Sequence, residues 1–332
     1  MTTFLTVPGF RWTSVARAIP LALSLLALAS PANSQNWPSR PVTVIVPYSP
    51  GGFTDTLARI AGQYLSEKLG QSFVIENRPG AGGGIGTTYL TKANPDGYTL
   101  MFGSASQTGI APLTQKITYD PNDLMPVSIF GRIPFLLAVN TNFPANDLAG
   151  FVAHAKSRQK SLNNAITGAG TTSHLLSANF AVRAGIELVD VPYKGSAPGA
   201  AAVMQGDIDM TWAGVSDVLP LVSDGKLKAL AISSPKRLAT LPNIASVSET
   251  YPGFSLATWN GFYAPRGTPK EVIEKVSRLM REAAAAPEVV KRLQDMGIEP
   301  SATTPEEMAE VIRSDKEFYV VAVKAAGIKP PQ

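Results

Sequence analysis

Residues 42–59 read Val-Thr-Val-Ile-Val-Pro-Tyr-Ser-Pro-Gly-Gly-Phe-Thr-Asp-Thr-Leu-Ala-Arg. β-Branched residues dominate from Val42 to Val46 and the run stops at Pro47, as a buried strand would. A turn of Ser49, Pro50, Gly51 and Gly52 follows, and Thr54 opens a helical pattern. The unit is a strand, a glycine turn and a helix start. The unpaired N–H groups of such a start and the positive end of the helix dipole point the same way, so together they favour an anion.

The same order recurs along the chain. A helix is expected over about 55–69, where Leu57, Ile60, Ala61, Tyr64 and Leu65 share one face. Strands are expected at 72–75 and 98–102, with a glycine-rich loop at 80–86 and a short helix through Leu90 between them. Residues 123–139 hold Pro126 and Pro134 among apolar residues, which suits a segment passing between domains. A second set follows: helices at 148–158, 172–184, 196–204 and 217–223, and strands at 164–167, 187–191, 209–212 and 227–232. The apolar, aromatic stretch 254–263 would carry the chain back. The last part reads as helical. Thr268-Pro269-Lys270-Glu271 and Thr304-Pro305-Glu306-Glu307 both fit a capping box with Pro at the first helical position. Alternating strands and helices define an α/β fold.

The first 34 residues set the compartment. Arg11 and Arg17 are their only charged side chains, Ile19–Ala29 is apolar apart from Ser24, and small residues follow. That run is shorter than the roughly 20 residues a spanning helix needs, so it reads as a secretory signal peptide, cleaved after Ala29 or Ser34. The expected location is the periplasm. Roughly 300 residues remain, more than one core usually serves, so two domains are expected. The chain has 29 basic and 25 acidic residues, and loss of Arg11 and Arg17 leaves a net charge of +2. No basic block is present, which argues against a nucleic-acid partner. There is no cysteine, so thiol nucleophiles and thiolate metal sites are excluded.

Four strand-to-helix junctions carry small polar residues at a helix start: Ser49–Asp55, Ser104–Thr108, Gly168–His174 and Tyr193–Ala197. In open α/β sheets, ligands bind beyond the carboxyl ends of the strands. Two junctions fall in each half, so a cleft between domains would be lined by helix starts from both sides. The contact candidates in the first half are Tyr48, Ser49, Pro50, Gly51, Gly52, Phe53, Thr54 and Asp55, with Ser104 and Ser106. In the second half they are Gly170, Thr171, Thr172 and His174, then Tyr193, Lys194, Gly195, Ser196 and Ala197, with Trp212 as a further aromatic. Ordinary capping of βα loops would explain the same residues.

Catalytic and cofactor signatures fail one by one. From Gly80 the sixth position of G-x-G-x-x-G is Ile85, and from Gly82 it is Thr87; no Lys completes a phosphate loop. Gly195-Ser196-Ala197-Pro198-Gly199 has its Ser one place early for a nucleophile elbow. The two histidines, His154 and His174, are far apart, and His154 reads as a surface residue. No metal and no cofactor is expected. Asp207 and Asp209 would share one side of a strand, a solvated edge. Asp55 as a general base is weighed against its service to the helix dipole.

The chain resembles the tripartite tricarboxylate transporter substrate-binding proteins, the Bug-type periplasmic receptors. The resemblance starts at Trp37-Pro38-Ser39-Arg40-Pro41 and Val46-Pro47-Tyr48-x-x-Gly51-Gly52-x-x-Asp55-x-x-Ala58-Arg59. It continues at Glu76-Asn77-Arg78-Pro79-Gly80-Ala81-Gly82-Gly83, Asp96-Gly97-Tyr98-Thr99-Leu100 and Val191-Pro192-Tyr193-Lys194-Gly195. It closes at Lys228-Ala229-Leu230-Ala231, Trp259-x-Gly261 and Ala264-Pro265-x-Gly267-Thr268-Pro269. It implies a two-domain, type II-like Venus flytrap fold hinged on two crossing strands. Residues 35–132 with 259–332 would form one domain and 133–258 the other. It implies a monomeric, non-enzymatic receptor that takes a small carboxylate between the domains and hands it to a membrane permease. The carboxylate would be a di- or tricarboxylate, an amino acid or an aromatic acid. Two rivals stand beside it: a sensor subunit that signals to a membrane kinase, and a periplasmic hydrolase or lyase using Asp55 or His174. One departure is the exit of the second domain, where Leu241-Pro242 runs into Asn243–Glu249 without the family's Pro-Thr pair.

Overall fold

The computed structural model describes residues 1–3 and 37–329. The expected signal peptide lies, but for residues 1–3, outside the described residues. From Arg40 onward the chain forms one compact unit. Among the described residues no helix is long and apolar enough to cross a membrane.

The first half-sheet starts with β1 (Val42–Val46), whose residues Val42, Val44, Ile45 and Val46 are fully buried. A strand covered on both faces needs such a run. It lies between β2 (Phe73–Asn77) and β3 (Thr99–Ser104), parallel to both, with Val44 opposite Ile75 and Leu100. The long crossovers of parallel strands are made by helices α1 (Phe53–Leu69) and α2 (Gly84–Thr91). Beyond β3 the chain makes a wide turn over Ser106–Ile110, a short helix α3 (Ala111–Thr114), and then β4 (Leu124–Asn140).

The expected inter-domain segment is this 17-residue strand, and it changes partners halfway. Leu124–Pro134 pairs antiparallel with β9 (Ala257–Pro265), Arg132 facing Trp259, while a two-residue strand β10 (Glu299–Pro300) lies on its other side. From Phe135 to Asn140 the partners are β7 (Met210–Gly214) and β8 (Leu227–Ile232). Register shifts fall between Pro126, which lacks a ladder donor, and Ser128, and again between Ile129 and Gly131. The second half-sheet is completed by β5 (Leu162–Ile166), parallel to β7, and β6 (Leu188–Pro192), parallel to β5. Helices α4 (Leu148–Ser157), α5 (Thr172–Ala184), α6 (Ser196–Gln205) and α7 (Val215–Ser223) link these strands. Crossing strands β4 and β9 thus join two α/β lobes, the two-domain Venus flytrap arrangement.

Each lobe has its own aromatic core. Phe102, Phe130 and Phe262 meet edge-on in the first. Phe151, Phe180, Trp212 and Phe254 cluster in the second. The chain ends in α8 (Lys270–Ala285), α9 (Pro287–Asp295) and α10 (Pro305–Ala325). The Thr304 capping box forms: Glu307 N–H donates to Thr304 Oγ1 at 3.1 Å and Thr304 N–H to Glu307 Oε2 at 2.8 Å. The Thr268 box does not. Helix α8 starts one residue later, after Pro269, and the Thr268 hydroxyl donates back to the Pro265 carbonyl at 2.8 Å. Two further expectations are corrected. His154 is half-buried, edge-on to Phe143 at 5.0 Å, because α4 lays it over that ring. Asp207 and Asp209 precede β7, and Asp209 accepts the Asn163 N–H at 2.8 Å, so they form no strand pair.

Candidate functional site

The first turn is nailed down by Asp55. Its Oδ2 accepts the Gly51 N–H at 3.0 Å and Arg59 Nε at 2.9 Å; its Oδ1 accepts Arg59 Nη2 at 3.0 Å and Asn77 Nδ2 at 2.9 Å. Burial pushes the carboxyl up, but the Arg59, Gly51 and Asn77 bonds outweigh it and hold the group below its ordinary range. Its bonds go to the turn, to its own helix and to Asn77 at the end of β2, so Asp55 shapes the site from behind. Asn77 also donates to the Tyr48 carbonyl at 3.0 Å, fixing the residue before the turn.

Tyr48 then reaches across to β3. Its hydroxyl lies 3.2 Å from Ser104 Oγ and accepts from Gln107 Nε2 at 3.0 Å. Gln107 Oε1 accepts the Ser104 N–H at 2.7 Å. Thr54 Oγ1 accepts from Asn260 Nδ2 of the crossing strand β9 at 3.0 Å. These groups are buried and mutually bonded, so the wall of the first lobe is rigid.

The second lobe offers two helix starts. At α5, Thr171 Oγ1 donates to the Gly168 carbonyl at 2.7 Å and Ser173 Oγ accepts the Thr167 N–H at 2.9 Å. The Thr172 N–H donates to Ser106 Oγ of the first lobe at 3.2 Å. At α6, Ser196 stands first, after Gly195. The lobes also meet where the Ser49 N–H donates to the Lys194 carbonyl at 2.9 Å.

Between these walls lies a slot with a cavity volume of only about 20 Å³. From the first lobe Tyr48, Gly52, Phe53, Thr54, Ser104 and Ser106 line it. From the second come Thr171, Thr172 and Ser196. The structure adds four residues that were not among the contact candidates: Phe135 and Thr258 on the crossing strands, Thr167 before α5 and Ser173 in its first turn. No Lys, Arg or His is among the lining residues. Three helix starts meet at it, α1 after Gly52, α5 after Thr171 and α6 after Gly195, and none is capped by the side chain of its own N-cap residue.

The other candidates stand off the slot. Ser49, Pro50, Gly51, Lys194 and Gly195 belong to turns, and Ala197 to the first turn of α6, beside the slot, where Ala197 Cβ would lie 3.9 Å from a Cβ on Gly51. Gly170 donates to His174 Nδ1 at 3.3 Å, and His174 Nε2 is 3.8 Å from Asp190 Oδ2. Burial pushes the His174 pKa down, against the pull of Asp190. Tyr193 packs against the apolar core below β5. Trp212 is fully buried among Phe180 and Phe254, in the core of its lobe. Among the described residues no group of His, Cys, Asp or Glu is placed to hold a metal.

Two α/β lobes on crossing strands, closed over a hydroxyl-lined slot, define a solute-binding protein. A family model described as "Tripartite tricarboxylate transporter family receptor" matches residues 57–327, and the chain belongs to this family. It is similar to Protein BugT of Bordetella pertussis, 32% identical over 325 residues that cover 96% of this chain and 98% of that one. Among solved structures it is similar to R. palustris Rpa4515 with adipate, at 33% identity and TM-score 0.87, covering 90% of this chain and 100% of the other. It is similar as well to MatC from Rhodopseudomonas palustris with bound malate, at 31% identity and TM-score 0.80, covering 86% and 100%.

Proposed function

We propose that the protein is an exported, non-enzymatic receptor that captures a small organic carboxylate in the interlobe slot and delivers it to a tripartite tricarboxylate-type permease. The observation that carries this reading is the convergence on one slot of three helix starts, none capped by its own N-cap side chain. Each helix end contributes about 0.3–1 kcal/mol to an anion and each charged hydrogen bond about 1.5–3 kcal/mol. A handful reaches the roughly −8 kcal/mol of micromolar binding after ordering costs. Relatives bound to adipate and malate support the ligand class. The division expected from the sequence, 35–132 with 259–332 against 133–258, is supported among the described residues by the change of partner in β4 between Pro134 and Phe135. A pocket for a small molecule measures about 300 Å³ or more, so the slot must widen as the lobes part and then close on the ligand. The closed monomer is the form the permease recognises.

A hydrolase would need a nucleophile or base at the slot, and Asp55 and His174 both lie outside its lining. The test is a thermal-shift screen of the mature, ligand-free chain with dicarboxylates, tricarboxylates, amino acids and aromatic acids. Ligand that binds only the folded form raises Tm by mass action. A flat response across the whole panel would reject the receptor reading.

A further inference from the structure

The first amide of α1 is already spoken for. The Phe53 N–H donates to the carboxyl of Asp217, which belongs to α7 of the other lobe, and the Ser196 hydroxyl bonds to the same carboxyl. Phe53 and Ser196 both line the slot. One of the seats that a helix start offers an anion is therefore filled by the chain's own acid. The Asp217 Oδ2 is shut off from solvent and has no hydrogen-bond partner, although the residue as a whole keeps some exposure. It is an unmet acceptor directly behind two lining residues, outside the lining itself. No basic side chain lines the slot to neutralise a second negative charge.

We propose that Asp217 sets the ligand class of the slot: a carboxylate with one negative charge whose other end carries a hydrogen-bond donor, such as an ammonium, hydroxyl or amide group, in preference to a dicarboxylate. This rests on the carboxylate-receptor reading above. The single carboxylate takes the start of α5, where Thr171, Thr172 and Ser173 line the slot and the Thr172 N–H must leave Ser106 Oγ to meet it. The donor faces the α1 and α6 side, drawn by the Asp217 charge that stands behind Phe53 and Ser196. A second carboxylate on that side meets a like charge in a water-poor site, where two carboxylates do not both ionise. Specificity here works by repulsion of the wrong ligand as much as by attraction of the right one.

The test uses ligands matched in length from four to six carbons: each α,ω-dicarboxylate, its ω-amino acid, its ω-hydroxy acid and its half-amide. Titration calorimetry is run at pH 8.5, because burial pushes the Asp217 carboxyl up to about 7 and the ionised form must dominate. For the wild-type mature chain we expect at least one donor-bearing acid to bind about tenfold or more tighter than its dicarboxylate. Asp217→Asn, and Asp217→Ser as a second variant, should narrow that ratio to within about threefold by improving dicarboxylate binding. A wild-type preference for dicarboxylates, or a ratio unchanged in folded variants, overturns the assignment while leaving the receptor reading intact. Failure of every acid to bind wild type and variants overturns both.

Discussion

Asp55 accepts four hydrogen bonds and Asp217 two, and the difference sets how each responds to acid. Asp55 is held below the ordinary carboxylate range by partners that survive its burial. Its contribution to stability is present above the unfolded pKa, near 3.9, and is lost as pH falls through the folded value. Asp55→Asn should therefore lower stability at pH 7 by about 1.5–3 kcal/mol, with the gap closing towards pH 3 in urea unfolding. Asp217 has the opposite sign. Its folded pKa of about 7 lies above the unfolded one, so its charge costs stability increasingly from about pH 4 to pH 7. Asp217→Asn should melt higher than wild type at pH 8, by roughly 1–4 kcal/mol once residual exposure is allowed for, and the advantage should vanish near pH 4. Equal differences at both pH values would contradict a buried, titrating Asp217. Asp55 was legible in sequence as a helix-start acid next to glycines. Asp217 was not, because nothing local buries it: its partners, Phe53 and Ser196, are 164 and 21 residues away in the chain.

Elements show the same split between local and long-range causes. Helix α5 was read from Thr172 to Ala184 at both ends, since its apolar spacing and flanking glycines are local signals. The Gly80–Gly86 stretch was read only as a glycine-rich loop that completes no dinucleotide or phosphate motif. Its reason lies in the other lobe. Gly82 has φ +60°, and a Cβ there would come within 2.1 Å of the Ala169 carbonyl oxygen; a Cβ on Gly168 would come within 2.7 Å of Gly82 Cα. The loop and the turn before α5 therefore approach backbone to backbone. Gly82→Ala is expected to leave each lobe folded, at about 1–2 kcal/mol of backbone strain, yet to block closure. Small-angle scattering should then show no ligand-induced decrease in radius of gyration, and affinity should fall by roughly tenfold or more. A variant that closes and binds like wild type would refute the role given to this contact. Thr258 and Phe135 were missed for a related reason: they sit on the crossing strands, whose partner change is set by the whole sheet.

At the scale of the molecule, closure rests on a few rim contacts. Ala197 Cβ and a Cβ on Gly51 would stand 3.9 Å apart, within the range a disulfide spans. The chain has no cysteine to interfere. Gly51→Cys with Ala197→Cys should oxidise to a locked, closed form that neither takes up nor releases ligand, and dithiothreitol should restore exchange. Gly51 has φ +83°, so about 1 kcal/mol of strain is expected in the reduced pair as well. Free ligand exchange in the oxidised protein would show that the slot opens elsewhere.

Strand β4 passes from one half-sheet to the other without a break, with β9 hydrogen-bonded beside it up to Pro134 and Ala257. The joint between the lobes is therefore not a pair of slack loops but a two-ply leaf spring made of hydrogen-bonded backbone. Such a spring has a preferred curvature. A ligand must do elastic work against it or with it, and the stiffness of two strands, far from any ligand atom, becomes part of every binding constant the receptor has.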